Sequence, residues 1–203
     1  MSAPGTVALV DYGAGNLRSV ENALLEVGAN VIVTHDAEVV RKADRVVVPG
    51  QGSMPECAEA MRRSGVSDAL LEAIRRGTPV LGICVGLQIL FEEGEEAGGA
   101  RGLGILPGKI AKLPAGQKLP HIGWSRLQAT PSAPALFAPM DGEYTYFAHS
   151  YAASATAPGV ALTTTHGIPY CAALAKDNLF AVQFHPEKSQ KVGLALLERF
   201  VRV

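Results

Sequence analysis

Residues 78–93 read TPVLGICVGLQILFEE, and the fold turns on how this run divides. TPVLGI has the near-continuous Val, Leu and Ile character of a strand covered on both faces, while VGLQILFEE reads as a helix. Cys84 then sits at the bend between them, flanked by Gly82 and Gly86. On so sharp a bend the side chain projects above the carboxyl edge of the sheet, and small neighbours avoid clashes. The helix beginning at Val85 is expected to aim free N–H groups and the positive end of its dipole at the sulfur, favouring thiolate over thiol. A free thiol is also a common packing residue, so the bend alone leaves catalysis and packing both open.

Outward from this bend the first hundred residues repeat one rhythm: TVALVDY, NLRSVENALLEVG, NVIVTH, RVVVPG, a polar helical segment, then TPVLGI. Parallel strands require crossover connections, and the intervening helices supply them. The expected fold is α/β, a doubly wound, mostly parallel sheet with helices on both faces. The second half changes to GKIAKLP, WSRLQAT, EYTYFAHSYAA, GVALTTTH and YCAALAKDNLFAVQFH, with a turn at Asp177-Asn178; it reads as antiparallel and strand-rich. SQKVGLALLERFV closes the chain as a helix with Val192, Leu196 and Leu197 on one side, and GEEAGGARG at 94–102 reads as a mobile surface loop. No repeat or linker divides residues 1–203, so one domain is expected.

Composition excludes several function classes. A chain of 203 residues that is 48% hydrophobic and 18% charged can bury a sizeable core. Its formal charge of -1 exerts no general pull on nucleic acid or anionic lipid. Cys57, Cys84 and Cys171 lack metal-ligand spacing and fit a reducing compartment, so neither a metal nor an organic cofactor is expected. No run approaches the roughly 18 apolar residues of a membrane span, and MSAPGTVALV does not begin as a secretory leader; the expected setting is the cytoplasm.

A nucleophilic thiol needs a base, and the base an orienting group. QFHPEKSQ at 183–190 offers both, because His185 ends a strand-like run and Glu187 follows two residues on. His35 and His166 end strand-like segments without evident partners, and Cys57 and Cys171 read as small packing residues. In VVVPGQGSM at 46–54, Gly50 and Gly52 bracket Gln51 directly after a strand. Such a loop could supply an N–H donor to a developing oxyanion, with Val85 N–H supplying another, or it could be a plain strand-ending turn.

Together, G-x-C-x-G-x-Q at 82–88, the distant H-P-E at 185–187 and P-G-x-G at 49–52 resemble the class I glutamine amidotransferase family over essentially the whole chain. The resemblance implies Cys84 as nucleophile, His185 as general base and acid, and Glu187 as the group orienting it. It implies an oxyanion hole from Gly50, Gln51, Gly52 and Val85. Contacts to substrate L-glutamine are implied for Gln88, His149, Ser150 and Tyr151. VDYGAGNLRSV, LPHIGWS at 119–125 and HPEKSQ are similar to the branch of the family whose members serve imidazole glycerol phosphate synthase. That similarity implies a heterodimer with a (β/α)8 cyclase, ammonia passing between the subunits, and Asn16, Arg18, Pro120 and Trp124 on the contact face. Two positions depart from the pattern: Ser125, where Asn is common after Gly-Trp, and Gln51, where Val is frequent.

Rival readings are a glutaminase for another acceptor, a cysteine peptidase on a related sheet, and a binding module with a vestigial pocket. DYGAGN argues against the first, Gln88 and QFHPE against the second, and an intact Cys84, His185 and Glu187 set against the third.

Overall fold

The computed structural model describes residues 5–13 and 16–203; Ala14 and Gly15 of the GAGN motif lie outside them. The first half runs β1 (Thr6–Val10), α1 (Leu17–Glu26), β2 (Asn30–Thr34), α2 (Ala37–Lys42), β3 (Arg45–Val48), α3 (Met54–Arg63), α4 (Val66–Arg75), β4 (Val80–Ile83) and α5 (Val85–Gln88). Then follow β5 (Phe91–Gly94), β6 (Ala100–Arg101), β7 (Leu106–Lys112), β8 (His121–Arg126), β9 (Gln128–Ala129), β10 (Tyr144–His149), β11 (Tyr151–Ala153), β12 (Val160–His166), β13 (Ile168–Lys176), β14 (Leu179–Val182) and α6 (Gln190–Phe200).

Eight strands form the main sheet in the order β2-β1-β3-β4-β14-β13-β12-β9. Pairings from β2 through to β14 are parallel, and those from β14 outward to β9 are antiparallel. The central strands are buried throughout, as their unbroken Val and Leu runs require. Right-handed crossovers put α1 on one face and α2, α3 and α4 on the other. The contacts agree, since α1 packs on α6 while α2 and α3 both pack on α4. Local chemistry marks the helix ends: Asp36 caps α2 through Glu38 N–H, and Ser53 caps α3 through Glu56 N–H. Gly65, at φ 73°, breaks the polar helical segment between β3 and β4 into α3 and α4.

Two local expectations are corrected. The helix after Cys84 is a single turn, not nine residues, because Phe91–Gly94 is strand β5, paired with β7 and β6. Ile89 and Leu90 carbonyls accept Leu103, Ile105 and Leu106 N–H groups instead of continuing the helix. With one turn there is little macrodipole, so the electrostatic help expected at the sulfur reduces to individual N–H groups. Nor is 94–102 a free loop. Its 3₁₀ turn at Glu96–Gly98 and β6 are held by Glu96 Oε2 accepting Met54 N–H at 2.7 Å, and by Arg62 donating to the Arg101 and Gly102 carbonyls.

Candidate active site

Three neighbouring parallel strands end at one edge of the sheet, and each delivers one part of the site. β3 pairs with β4 through Val48↔Gly82, and β14 pairs with β4 through Val182↔Ile83. Beyond those registers the chain continues into the Pro49–Gly52 loop, into Cys84, and into Gln183-Phe184-His185. Cys84 N–H donates to the Val182 carbonyl at 2.8 Å, which ties thiol and imidazole segments together at their roots.

Cys84 has φ 55° and ψ −110°, a left-handed conformation that costs a non-glycine residue of order 1–3 kcal/mol. Its neighbours explain the glycines. A Cβ on Gly86 would lie 2.0 Å from the Val48 carbonyl oxygen, one on Gly82 2.8 Å from Gly86 O, and one on Gly50 2.4 Å from Gly86 N. Only backbone fits where the loop after β3 crosses the elbow. Leu87 and Gln88 N–H groups bond the Cys84 carbonyl, and the helix makes no such use of Val85 and Gly86 N–H.

His185 is gripped from both sides by β10. Its N–H donates to the Tyr146 carbonyl at 2.9 Å, while Ser189 Oγ donates to the His185 carbonyl and accepts Tyr146 N–H. Its Nδ1 lies 2.8 Å from Glu187 Oε1, with the Glu187 side chain only 1% exposed, so Nε2 is left for Cys84. Burial pulls the imidazole pKa down, but Cys84 and Glu187, as hydrogen-bond partners and as negative charges, outweigh it and push it up to about 10. His185 therefore holds its proton between the Cys84 sulfur and the Glu187 carboxyl group.

Cys84, His185, Gln51, Gly52, Val85 and Gln88 line one cavity of about 250 Å³, with Ser150, Tyr151, His149 and Pro120 on its other walls. Gln88 donates both amide hydrogens to the protein, to the Tyr151 carbonyl at 2.9 Å and Gln183 Oε1 at 3.1 Å, which leaves its own oxygen for a ligand. Three lining residues were not anticipated: Glu96, Ala148 and Lys188, the last with Nζ 5.9 Å from the Tyr146 ring centroid. Glu96 was hidden in a segment read as a surface loop, and no local pattern distinguishes it from its neighbour Glu95.

His149 reaches the cavity wall with both ring nitrogens already engaged. Nδ1 donates to the Tyr151 carbonyl at 2.9 Å, so Nε2 accepts from Tyr170 Oη at 3.2 Å. Tyr170 Oη in turn accepts His121 Nδ1–H at 2.9 Å, and His121 Nε2 accepts Ser125 Oγ–H at 3.0 Å. One carbonyl thus sets every proton in a buried chain, and Ser125 closes it. Burial lowers His149 to about 3 and His121 to about 4, keeping both neutral. His166, whose partners were not evident in the sequence, stacks on His121 with centroids 4.1 Å apart and bonds the Lys118 carbonyl; a flat sequence pattern cannot show a ring stack between β8 and β12. His35 is exposed.

Of the expected contact-face positions, Pro120 lies on the cavity wall, while Asn16, Arg18 and Trp124 do not line it. β8 and β10 form a separate two-stranded sheet whose register, Tyr146↔Trp124 and Tyr144↔Arg126, puts Ile122, Trp124, Tyr144 and Tyr146 on one face. Ile122 is 62%, Trp124 44% and Tyr144 54% exposed, so Trp124 is not core. Arg18 and Pro120 are exposed, and half-buried Asn16 precedes α1. Among the described residues no group of three or more His, Cys, Asp or Glu could hold a metal, and no helix is long and apolar enough to cross a membrane.

Comparison with known proteins identifies the family. The family described as glutamine amidotransferase class-I matches residues 8–203. The chain is 46% identical to the imidazole glycerol phosphate synthase subunit HisH of Nitrosomonas europaea, covering 97% of this chain and 98% of that protein. It is 41% identical to the subunit of the same name from Methanothermobacter thermautotrophicus, over 97% and 98%. A glutamine amidotransferase crystal structure superposes with a TM-score of 0.75 at 18% identity, over 97% of this chain and 99% of that one, and PurLQS from Thermotoga maritima does so with 0.75 at 18%, over 98% of each. The chain belongs to the class I glutamine amidotransferase family, among the HisH subunits of imidazole glycerol phosphate synthase.

Proposed function

We propose that residues 1–203 act as one glutaminase domain that hydrolyses L-glutamine to L-glutamate and ammonia through Cys84, His185 and Glu187, and passes the ammonia to a (β/α)8 cyclase. Membership of the HisH subunits makes the chain an enzyme of histidine biosynthesis, the glutamine amidotransferase subunit of a two-subunit synthase. The observation that carries the reading is the strained elbow at Cys84 beside an imidazole whose far nitrogen is held 2.8 Å from a buried carboxylate.

The chemistry follows from these positions. The Cys84 thiolate attacks the side-chain carboxamide carbon, and the carbonyl oxygen takes up negative charge against the N–H groups of Val85 and the 50–52 loop. His185 gives its proton to the departing nitrogen, releasing ammonia and leaving a thioester. A water molecule, deprotonated by the now neutral His185, attacks that thioester, releases glutamate and returns the thiolate and imidazolium. Glu187 holds the ring in the required tautomer and takes no proton. Glu96, a carboxylate on the cavity wall, and the free Gln88 oxygen suit the α-ammonium of a single amino acid. The cyclase is expected on the apolar face of β8 and β10, because His185 is fastened to Tyr146 on that same sheet. Ammonia reaching bulk water becomes ammonium, which is no nucleophile, so a docked interface preserves it. Three free cysteines suit a cytoplasmic setting.

In the test, Cys84→Ser abolishes glutamine hydrolysis while the complex still uses added ammonia for synthesis. Loss of both, or of neither, rejects the assignment of Cys84. Trp124→Ala weakens association with the cyclase by about 2 kcal/mol with the isolated subunit's melting temperature unchanged; a lower melting temperature would instead place the indole in the fold.

A further inference from the structure

The Pro49–Gly52 loop is held from behind by two buried side chains that have no part in the steps above. Tyr12, just past β1, donates its phenolic O–H to the Pro49 carbonyl at 2.6 Å. Cys57, in the first turns of α3, donates its thiol to the Gln51 carbonyl at 3.3 Å. Tyr12 is 6% exposed and Cys57 fully buried. Burial raises the pKa of both, so each keeps the proton it donates.

A trans peptide is planar with its N–H opposed to its C=O. Directing the Pro49 carbonyl at Tyr12 therefore turns Gly50 N–H away from Tyr12, and directing the Gln51 carbonyl at Cys57 turns Gly52 N–H away from Cys57. Between these two clamped planes, the Gly50 carbonyl and Gln51 N–H carry no backbone hydrogen bond among the described residues. Gly52, at φ 99°, adopts a left-handed conformation that suits glycine at the loop's end. At Gly50 the loop presses so closely on the elbow that a Cβ would be 2.4 Å from Gly86 N. A small rotation of a clamped plane thus moves the loop's donors relative to Cys84.

We propose that Tyr12 and Cys57 are positioning residues for the reaction, orienting the N–H donors of the 49–52 loop from the side opposite the substrate and thereby setting kcat without touching glutamine. The inference rests on the glutaminase reading above. The two side chains come from different elements, so neither α3 nor the segment after β1 orients the loop alone.

The experiment uses the whole synthase, with cyclase and its ribonucleotide ligand, and compares wild type with Tyr12→Phe, Cys57→Ala and Cys57→Ser. Phenylalanine keeps the ring and removes only the hydroxyl, and serine keeps a donor where alanine has none. Tyr12→Phe and Cys57→Ala are expected to lower glutaminase kcat about 10- to 100-fold, since a misplaced oxyanion donor costs at most about 1,000-fold. KM for glutamine, the iodoacetamide alkylation rate of Cys84 and synthesis from added ammonia are expected to hold, and Cys57→Ser to recover most of the loss. An unchanged or raised kcat overturns the proposal. So does a fall in kcat accompanied by slower alkylation and a lower melting temperature, which marks a structural role. A wild-type synthase that fails to hydrolyse glutamine overturns the glutaminase reading itself, a result separate from any effect of the variants.

Discussion

His185 and His149 are equally buried, each 6% exposed, and line one cavity, yet their proton affinities diverge. Burial pulls both down. At His185, Cys84 and Glu187 more than reverse the pull and push the ring up to about 10; at His149, one backbone carbonyl cannot, the nearby His121, His185 and His166 rings add to the pull, and the ring falls to about 3. Burial therefore does not decide whether an imidazole is charged; the charge of its partners does.

Removing the titrating ring breaks the comparison most severely. His185→Asn lowers glutaminase kcat by at least about 1,000-fold, while Glu187→Gln lowers it less, because Glu187 orients the ring but accepts no proton. Equal and mild effects at both positions would leave no distinction between the two roles.

The pH dependence of stability sharpens the contrast because the two rings act with opposite signs. For His185 the folded value, about 10, lies above the unfolded value of about 6.5, so its contribution is full below about 6.5 and is lost as pH rises toward 10. For His149 and His121 the folded values, about 3 and about 4, lie below it, so their contribution is full above about 6.5 and is lost as pH falls through that window. Urea midpoints measured across pH are expected to show both limbs. Glu187→Gln flattens the alkaline limb alone and His149→Gln the acid limb alone. A variant that alters both limbs equally would mean that the two rings titrate as one system.

Smaller effects come from the buried chain. Tyr170→Phe strips partners from His149 and His121 together and costs about 1–3 kcal/mol in urea denaturation. Ser125→Ala, at the half-buried end, costs less, about 0.5–1.5 kcal/mol. If Ser125→Ala costs as much as Tyr170→Phe, the proton order derived from the Tyr151 carbonyl is wrong.

Local pattern was strong wherever one short segment carried its own reason. The Val-rich runs around 7–10, 46–48 and 80–83 could only be strands buried on both faces, and their alternation with helices gave the α/β order. Gly82 and Gly86 around Cys84 announced a close backbone crossing, and His185 and Glu187 are near enough in sequence for their pairing to be read directly. Pattern failed where a partner distant in sequence chose between alternatives. Ile89–Glu93 is as apolar and regular as a helix needs, but Leu103–Leu106 claims its carbonyls and leaves a single turn.

The Cys84 elbow, the His185–Glu187 pair and the order of strands and helices were thus legible along the chain. Their meeting was not, because it depends on Val48↔Gly82 and Val182↔Ile83, registers between strands up to about a hundred residues apart. The same is true of Tyr12 and Cys57 behind the loop, of the His149–Tyr170–His121–Ser125 chain, and of Glu96 at the cavity wall. A hydrogen bond or a shifted pKa belongs to a distance, and distances between remote segments exist only after the sheet has set its register and the helices have closed over it.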